Sequence, residues 1–366
     1  MKYLYYLIAI ITFSACNKYT DDKIFNGKIK MMRDLSVTKE IEFKEIAFNE
    51  NNYGFFSVYD TLALFMNPKL NTHIYNAFCL RSHEEIGRYF KKGLGPNEYL
   101  SLSPIFDFYN QNHELKALLY NANDEEAYIW NITRTIKEDS TIIDNKIWLP
   151  WRKDNNGACY SNLFMKNNNT LFAKVSSTPI SNNEATLPYY QIWELADSIK
   201  KIEDLQIYKT TIRNNQTQVL PETFLYSHDA MKPDGKKIAQ ALLHIPQLNI
   251  IDTNTKQITG FRIGNNTDFS TIGNKKTLNS YFVRIHVDDE FIYTLFWGKD
   301  NWEVNTIPTI DQMYIFDWEG NLRYKIKAKH SISDIYVDNI NRILYTTSID
   351  SDNIYYTELD NLIEIN

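Results

Sequence analysis

Clustered positive charge is missing from this sequence. Lysine and arginine number 39 against 45 acidic residues, for a net charge of −6. The basic residues are scattered, and their longest runs are pairs such as Lys91-Lys92 and Lys275-Lys276. Phosphate backbones are held by clustered Lys and Arg, so no nucleic-acid partner is expected. Catalytic signatures are missing too: there is no H-E-x-x-H, no G-x-S-x-G and no G-x-x-x-x-G-K-[ST]. A sustained helical period is hard to find beyond residue 40. Glycine (12) and proline (10) are scarce, while tyrosine (25) and phenylalanine (20) are abundant. Aromatics favour strands, and tyrosine can also line a sugar-binding surface.

What is present begins at the N-terminus. Lys2 supplies a positive charge, and Tyr3 to Phe13 is an uncharged, apolar run. That is the length of a signal-peptide core and too short to span a bilayer. Ser14-Ala15-Cys16 follows, and small residues before a cysteine resemble the bacterial lipobox, with Phe13 where leucine is usual. The resemblance implies cleavage after residue 15 and acylation of Cys16, and several acyl chains together anchor a protein stably. Residues 16–40 then read as the lipidated cysteine and a polar tether, and 41–366 as the folded domain. Asp21-Asp22 resemble the acidic export signals of Bacteroidetes surface lipoproteins. The expected location is the outer membrane, lipid-anchored, on its periplasmic face or at the cell surface. Whether Cys79 and Cys159 pair is left open.

The rest of the chain is a succession of short alternating segments separated by Asn, Asp and Gly. A unit recurs: a strand, an Asp- or Asn-bearing turn, a very apolar strand, a loop, a third strand ending in an acid, and a fourth. Its clearest copy runs Ile285–Asp289, Phe291–Phe296, Met313–Asp317 and Leu322–Lys327. Repeated four-stranded antiparallel units point to a β-propeller. The chain from residue 41 has room for roughly six units of about 54 residues each. The expected fold is all-β, with six four-stranded blades near 50–92, 100–140, 155–205, 222–265, 277–328 and 330–366. The last blade shows three clear strands, so an N-terminal strand within Ile41–Phe48 is expected to close the ring.

Lys92-Gly93-Leu94-Gly95-Pro96-Asn97-Glu98-Tyr99 carries a G-x-G-P-x-E-[FY] pattern. It resembles a signature of the TolB-like six-bladed β-propeller lipoproteins of Bacteroidetes. Glu85–Phe90 before it and Ser103–Phe108 after it fit the same resemblance, which implies a fold and a location but no chemistry. By its own residues, Gly93 and Gly95 permit positive φ and Pro96 ends a strand. Glu98 is read either as an acceptor for turn amides or as a group at the top of the ring.

Other candidate binding residues lie at the starts of inner strands. His228 and His286 are expected to face a central channel, where Asp107, Asp229 and Arg284 would complete a polar ring. No histidine pair has metal-ligand spacing, so no metal and no cofactor is implied. Asp350-Ser351-Asp352-Asn353 reads as a hairpin turn rather than a calcium loop. Trp148-Leu149-Pro150-Trp151-Arg152 reads as a packing plug between the second and third blades. The leading function is a non-enzymatic binding lipoprotein, anchored to the bilayer through Cys16, that takes a saccharide, a peptide or an envelope protein on one face. Loops Lys174–Thr186, Arg213–Glu222, Asn265–Lys276 and Lys299–Thr309 would form that face. The alternative is an envelope hydrolase or lyase with an acidic or metal site in the channel, which only the spatial separation of its carboxylates can decide. A structural subunit of an envelope complex is a third reading.

Overall fold

Alternating stretches become strands where one residue in two, or nearly every residue, meets an apolar neighbour. Leu62–Met66 is apolar throughout and buried on both sides, whereas Lys200–Gln206 is exposed at all but one position. The first sits inside a blade and the second on its outer edge. The computed structural model describes residues 19–21, 24–35, 37–48, 54–151, 159–176, 178–180, 184–195, 199–209, 225–264, 279–300, 310–348, 351 and 353–363.

Four short strands come first: β1 (Tyr19–Asp21), β2 (Lys28–Met32), β3 (Lys39–Ile41) and β4 (Lys44–Ile46). Blade 1 is β5 (Phe55–Tyr59), β6 (Leu62–Met66), β7 (His73–Cys79) and β8 (Glu85–Lys91). Blade 2 is β9 (Asp107–Gln111), β10 (Glu114–Asn121), β11 (Glu126–Asn131) and β12 (Ile143–Trp148). Blade 3 is β13 (Tyr160–Asn167), β14 (Thr170–Val175), β17 (Tyr189–Glu194) and β18 (Lys200–Gln206), with a hairpin of β15 (Thr178–Ile180) and β16 (Glu184–Thr186) inserted. Blade 4 is β19 (Ser227–Met231), β20 (Lys237–Leu242), β21 (Gln247–Asp252) and β22 (Ile258–Ile263). Blade 5 is β23 (Asn279–Val287), β24 (Phe291–Asp300), β25 (Gln312–Asp317) and β26 (Leu322–Ala328). Blade 6 is β27 (Asp334–Asp338), β28 (Ile343–Thr347) and β29 (Ile354–Glu358), completed by β4.

The six-bladed propeller expected from the repeat is therefore present, and β4 closes it as expected, pairing antiparallel with β29 (Ile46 opposite Ile354). Six apolar clusters fill the six seams between neighbouring blades. One of them joins Ile46, Tyr345 and Ile354 to Phe56, Val58 and Phe65, and so locks the last blade to the first. Turn chemistry punctuates the strands. At Asp317-Trp318-Glu319-Gly320 the carboxylate accepts from the Glu319 and Asn321 amides, and Gly320 takes φ 78°.

Two features depart from the sequence reading. Helix α1 (Ile132–Glu138), capped by the Asn131 side chain, is inserted between β11 and β12 and carries blade 2 on to Trp148. The stretch expected as a polar tether, 16–40, lies on the ring over its described residues 24–35 and 37–40. β2 adds in parallel to β22 at the rim of blade 4, and β3 adds in parallel to β26 at the rim of blade 5. Phe25 and Ile29 are buried in the seam between blades 3 and 4. The stretch is polar because a rim strand shows water most of its side chains, and its few apolar residues hold it down.

Cys79 and Cys159 are both free thiols. The Trp cluster divides: Leu149 is buried, Trp151 is half-buried with its indole donating to the Ala122 carbonyl, and Trp148 is 60% exposed. Arg152, Asp350 and Asp352 lie outside the described residues. Among the described residues no helix is long and apolar enough to cross a membrane.

Candidate functional site

The innermost strand of every blade lines a central channel of about 790 Å³. Because strands alternate in direction, all the inner strands start at the same face. The connections β14 to β17, β18 to β19, β22 to β23 and β24 to β25 leave from that face also. These contain the four loops singled out in the sequence, most of whose residues lie outside the described set. Lys174 and Val175 are an exception, being the end of β14.

Asp107 and Asp334 are the first residues of β9 and β27 and stand at this mouth. Packed walls raise Asp107 from 3.8 to about 7, opposed only by a hydrogen bond from the Phe108 amide. Channel water still reaches it, since its surface is only partly covered. Burial also raises Asp334, to about 6, against the pull of Arg284. Arg284 lies 3.5 Å from the Asp334 carboxylate and 5.8 Å above the Phe55 ring, and it donates to the Val283 carbonyl. Its guanidinium thus bridges blades 5, 6 and 1. Blade 2, which carries Asp107, is the blade opposite blade 5 in a ring of six. The Asp107 blade and the Arg284 blade are thus opposite in ring order, and no cation is among the causes of the Asp107 shift.

Rings cover much of the wall between them. Phe108 meets Tyr59 at 5.9 Å and Tyr336 at 6.2 Å, and Phe56 meets Tyr336 at 6.1 Å. Burial, then the charges of Arg284 and Lys174, hold His228 down to about 3, and its ring packs edge-on to Tyr226 at 5.1 Å. Burial alone holds His286 at about 3. Its Nδ1 accepts the Val337 amide at 3.2 Å, which puts the proton on Nε2, and its ring lies 4.0 Å from Tyr336. His286 therefore joins blade 5 to blade 6 as a neutral acceptor.

Asp229 does not join the polar ring. It lies on the channel strand β19, but its side chain is 0% exposed and sits in the seam with blade 3, 2.9 Å from Lys174 Nζ. Ser227, Tyr190 and Gln240 also donate to it. The chain of bonds continues from Gln240 through Asn249 and Gln247 to Arg262, from hub to rim of blade 4. The pleat explains the correction: His228 and Asp229 are adjacent, so they must point to opposite sides.

Gly93, Gly95, Pro96 and Glu98 lie outside the channel, in the turn after β8 on the rim of blade 1. Glu98 accepts from Lys91 Nζ at 2.6 Å and from the Gly95 amide at 2.9 Å, so its reading as the turn's acceptor holds and its place at the top of the ring does not. A Cβ on Gly93 would stand 1.9 Å from Glu98 Oε2, so any other residue there displaces the Glu98 carboxylate from its place in the turn. A smaller hollow beside it is lined by Asp124, Tyr128 and Lys146.

Asp334, Phe55 and Tyr336 were not found from the sequence. A signal existed: Asp107-Phe108-Tyr109 and Asp334-Ile335-Tyr336 share an Asp-apolar-Tyr start. Among the described residues no group of three His, Cys, Asp or Glu side chains converges to hold a metal.

The model of the TolB-like 6-blade propeller-like family matches residues 188–340. A member of the DUF4221 family from Bacteroides vulgatus superposes with a TM-score of 0.55 at 11% identity, covering 86% of this chain and 97% of that one. A Bacteroides fragilis protein named as exported superposes with a TM-score of 0.50 at 11% identity, covering 90% of this chain and 98% of that one. No curated protein matches the sequence. The match runs from β17 of blade 3 to β27 of blade 6, and the six closed blades give this chain a fold similar to that of the TolB-like six-bladed propellers.

Proposed function

We propose that the chain is a lipid-anchored, non-enzymatic binding propeller of the bacterial envelope that takes a small polar ligand at the mouth of its channel. The Tyr3–Phe13 run and Ser14-Ala15-Cys16 support the anchor, and the name of the B. fragilis relative in fold supports export. Outer membrane placement, on the periplasmic face or at the surface, is part of the same reading.

The observation that carries the ligand reading is the pair of charged groups, on opposite blades, in a cavity of about 790 Å³. That volume falls among small-molecule sites, roughly 300–1,000 Å³, and is too small for a protein partner inside the channel. The Arg284 guanidinium suits a carboxylate, Asp107 suits an amine, and the rings between them suit a sugar or peptide face. An amine-bearing acidic saccharide or short peptide, such as a peptidoglycan fragment, has this chemistry. Asp107 at about 7 has the proton affinity of a general acid, which is what a hydrolase would need. Among the described residues the other raised carboxyl of the channel, Asp334, is engaged by Arg284, which favours binding over acid–base work.

Calorimetric titration with peptidoglycan fragments and a glycan array tests the reading. Binding should weaken at least tenfold in Arg284→Met and in Asp107→Asn. Ligand recovered cleaved after incubation would replace the binding role with the hydrolytic one, and no binding by any probe would remove the channel site.

A further inference from the structure

The first strands determine where an anchor would hold the ring, given the acylation of Cys16 proposed above, on which this inference rests. β1 is paired to β2 with Tyr19 opposite Lys30, and β2 is the rim of blade 4. Only Asn17 and Lys18 separate Tyr19 from Cys16. Three residue steps of fully extended chain reach about 10 Å. Opposite rims of the ring are at least about 29 Å apart, since each blade contributes three strand spacings of about 4.8 Å. Acyl chains on Cys16 therefore have no reach to the far blades.

The rim itself is suited to lipid headgroups. Lys28 and Arg33 are exposed, Lys30 is half-exposed beside them, and these three cations outnumber the one acid of the β1–β2 ladder, Asp21, which stands opposite Lys28. Asp34, next along the chain, is already engaged by Lys325 at 3.1 Å. Positive charge close to an anionic leaflet is attractive within a screening length.

We propose that the short leash from Cys16 holds the β1–β2 rim of blade 4 against an anionic bilayer, so that the ring stands edge-on. Both mouths of the channel then open sideways into water rather than onto the membrane.

The test uses the full chain, acylated in a Gram-negative host and reconstituted into vesicles of phosphatidylethanolamine and phosphatidylglycerol with brominated tails. A fluorophore is placed at Lys28→Cys on the rim of blade 4, or at Ile86→Cys on the outer strand of blade 1, in a Cys79→Ser, Cys159→Ser background. Each variant is first required to melt cooperatively. Quenching should be several-fold stronger at position 28 than at position 86. A flexible insert of about 20 residues after Lys18 should abolish that difference without releasing the protein. Equal quenching in bound protein, or a difference that survives the insert, overturns the leash. Protein that stays bound as Cys16→Ala overturns the anchor instead, so the two failures are distinguishable.

Discussion

Replacing Asp107 by asparagine keeps its shape and removes its charge, and this variant tests the electrostatics of the channel. A carboxyl raised from 3.8 to about 7 in the fold holds a proton that the unfolded chain has already lost. Stability therefore falls as pH rises across that window, and the full penalty applies above it. The displacement corresponds to about 4 kcal/mol, at about 1.4 kcal/mol for each tenfold change in proton affinity. Water in the channel screens the group, and a discounted figure is about 1–2 kcal/mol. Asp107→Asn should match the wild type near pH 4 and exceed it at pH 8 by that amount, a rise of roughly 1–3 °C in Tm. Thermal unfolding of both proteins across that range gives the difference directly, which cancels the histidines' opposing acid limb. A variant less stable than the wild type at pH 8, or a difference that does not change with pH, would refute the placement of an uncompensated carboxyl in the channel.

Other perturbations separate further parts of the argument. His286 refuses a proton until about pH 3, so it costs stability as pH falls below 6.5; His286→Asn should flatten that acid limb in a pH series of melts. His286→Phe leaves the buried Val337 amide unpaired, and chemical denaturation at pH 8 should show a loss of about 1–3 kcal/mol. Lys174→Met strands the buried Asp229 carboxylate and should cost about 3–5 kcal/mol in the same assay, with part regained on adding Asp229→Asn. Phe25→Ala should cost about 3–5 kcal/mol, whereas a solvated tether would lose almost nothing.

The blades were legible because their signals are local. Alternation, an Asp turn and a very apolar second strand lie within a few dozen residues in the segments that became blades 4 to 6. β2 and β3 were not legible, because a short polar strand added in parallel to a distant rim leaves no periodicity of its own. Helix α1 is only a turn or two long, below the length at which a 3.6-residue period can be read. The channel was legible as a place, through Asp107, Arg284 and His286. Which way a side chain leaves an inner strand was not, and Asp229 turned into a seam for that reason. For Glu98 two readings stood open, and the turn acceptor is the one found, since a tight glycine loop needs an acceptor for its freed amides.

The strands at the rims of blades 4, 5 and 6 also impose an order of events on the nascent protein. Residue 29 meets residue 260, and residue 46 meets residue 354. What emerges first waits for what emerges last, so the ring has no means of locking until synthesis is nearly done. Such distant pairings make assembly slow, and the blades already made must wait with their outer edges uncovered until the last strand arrives.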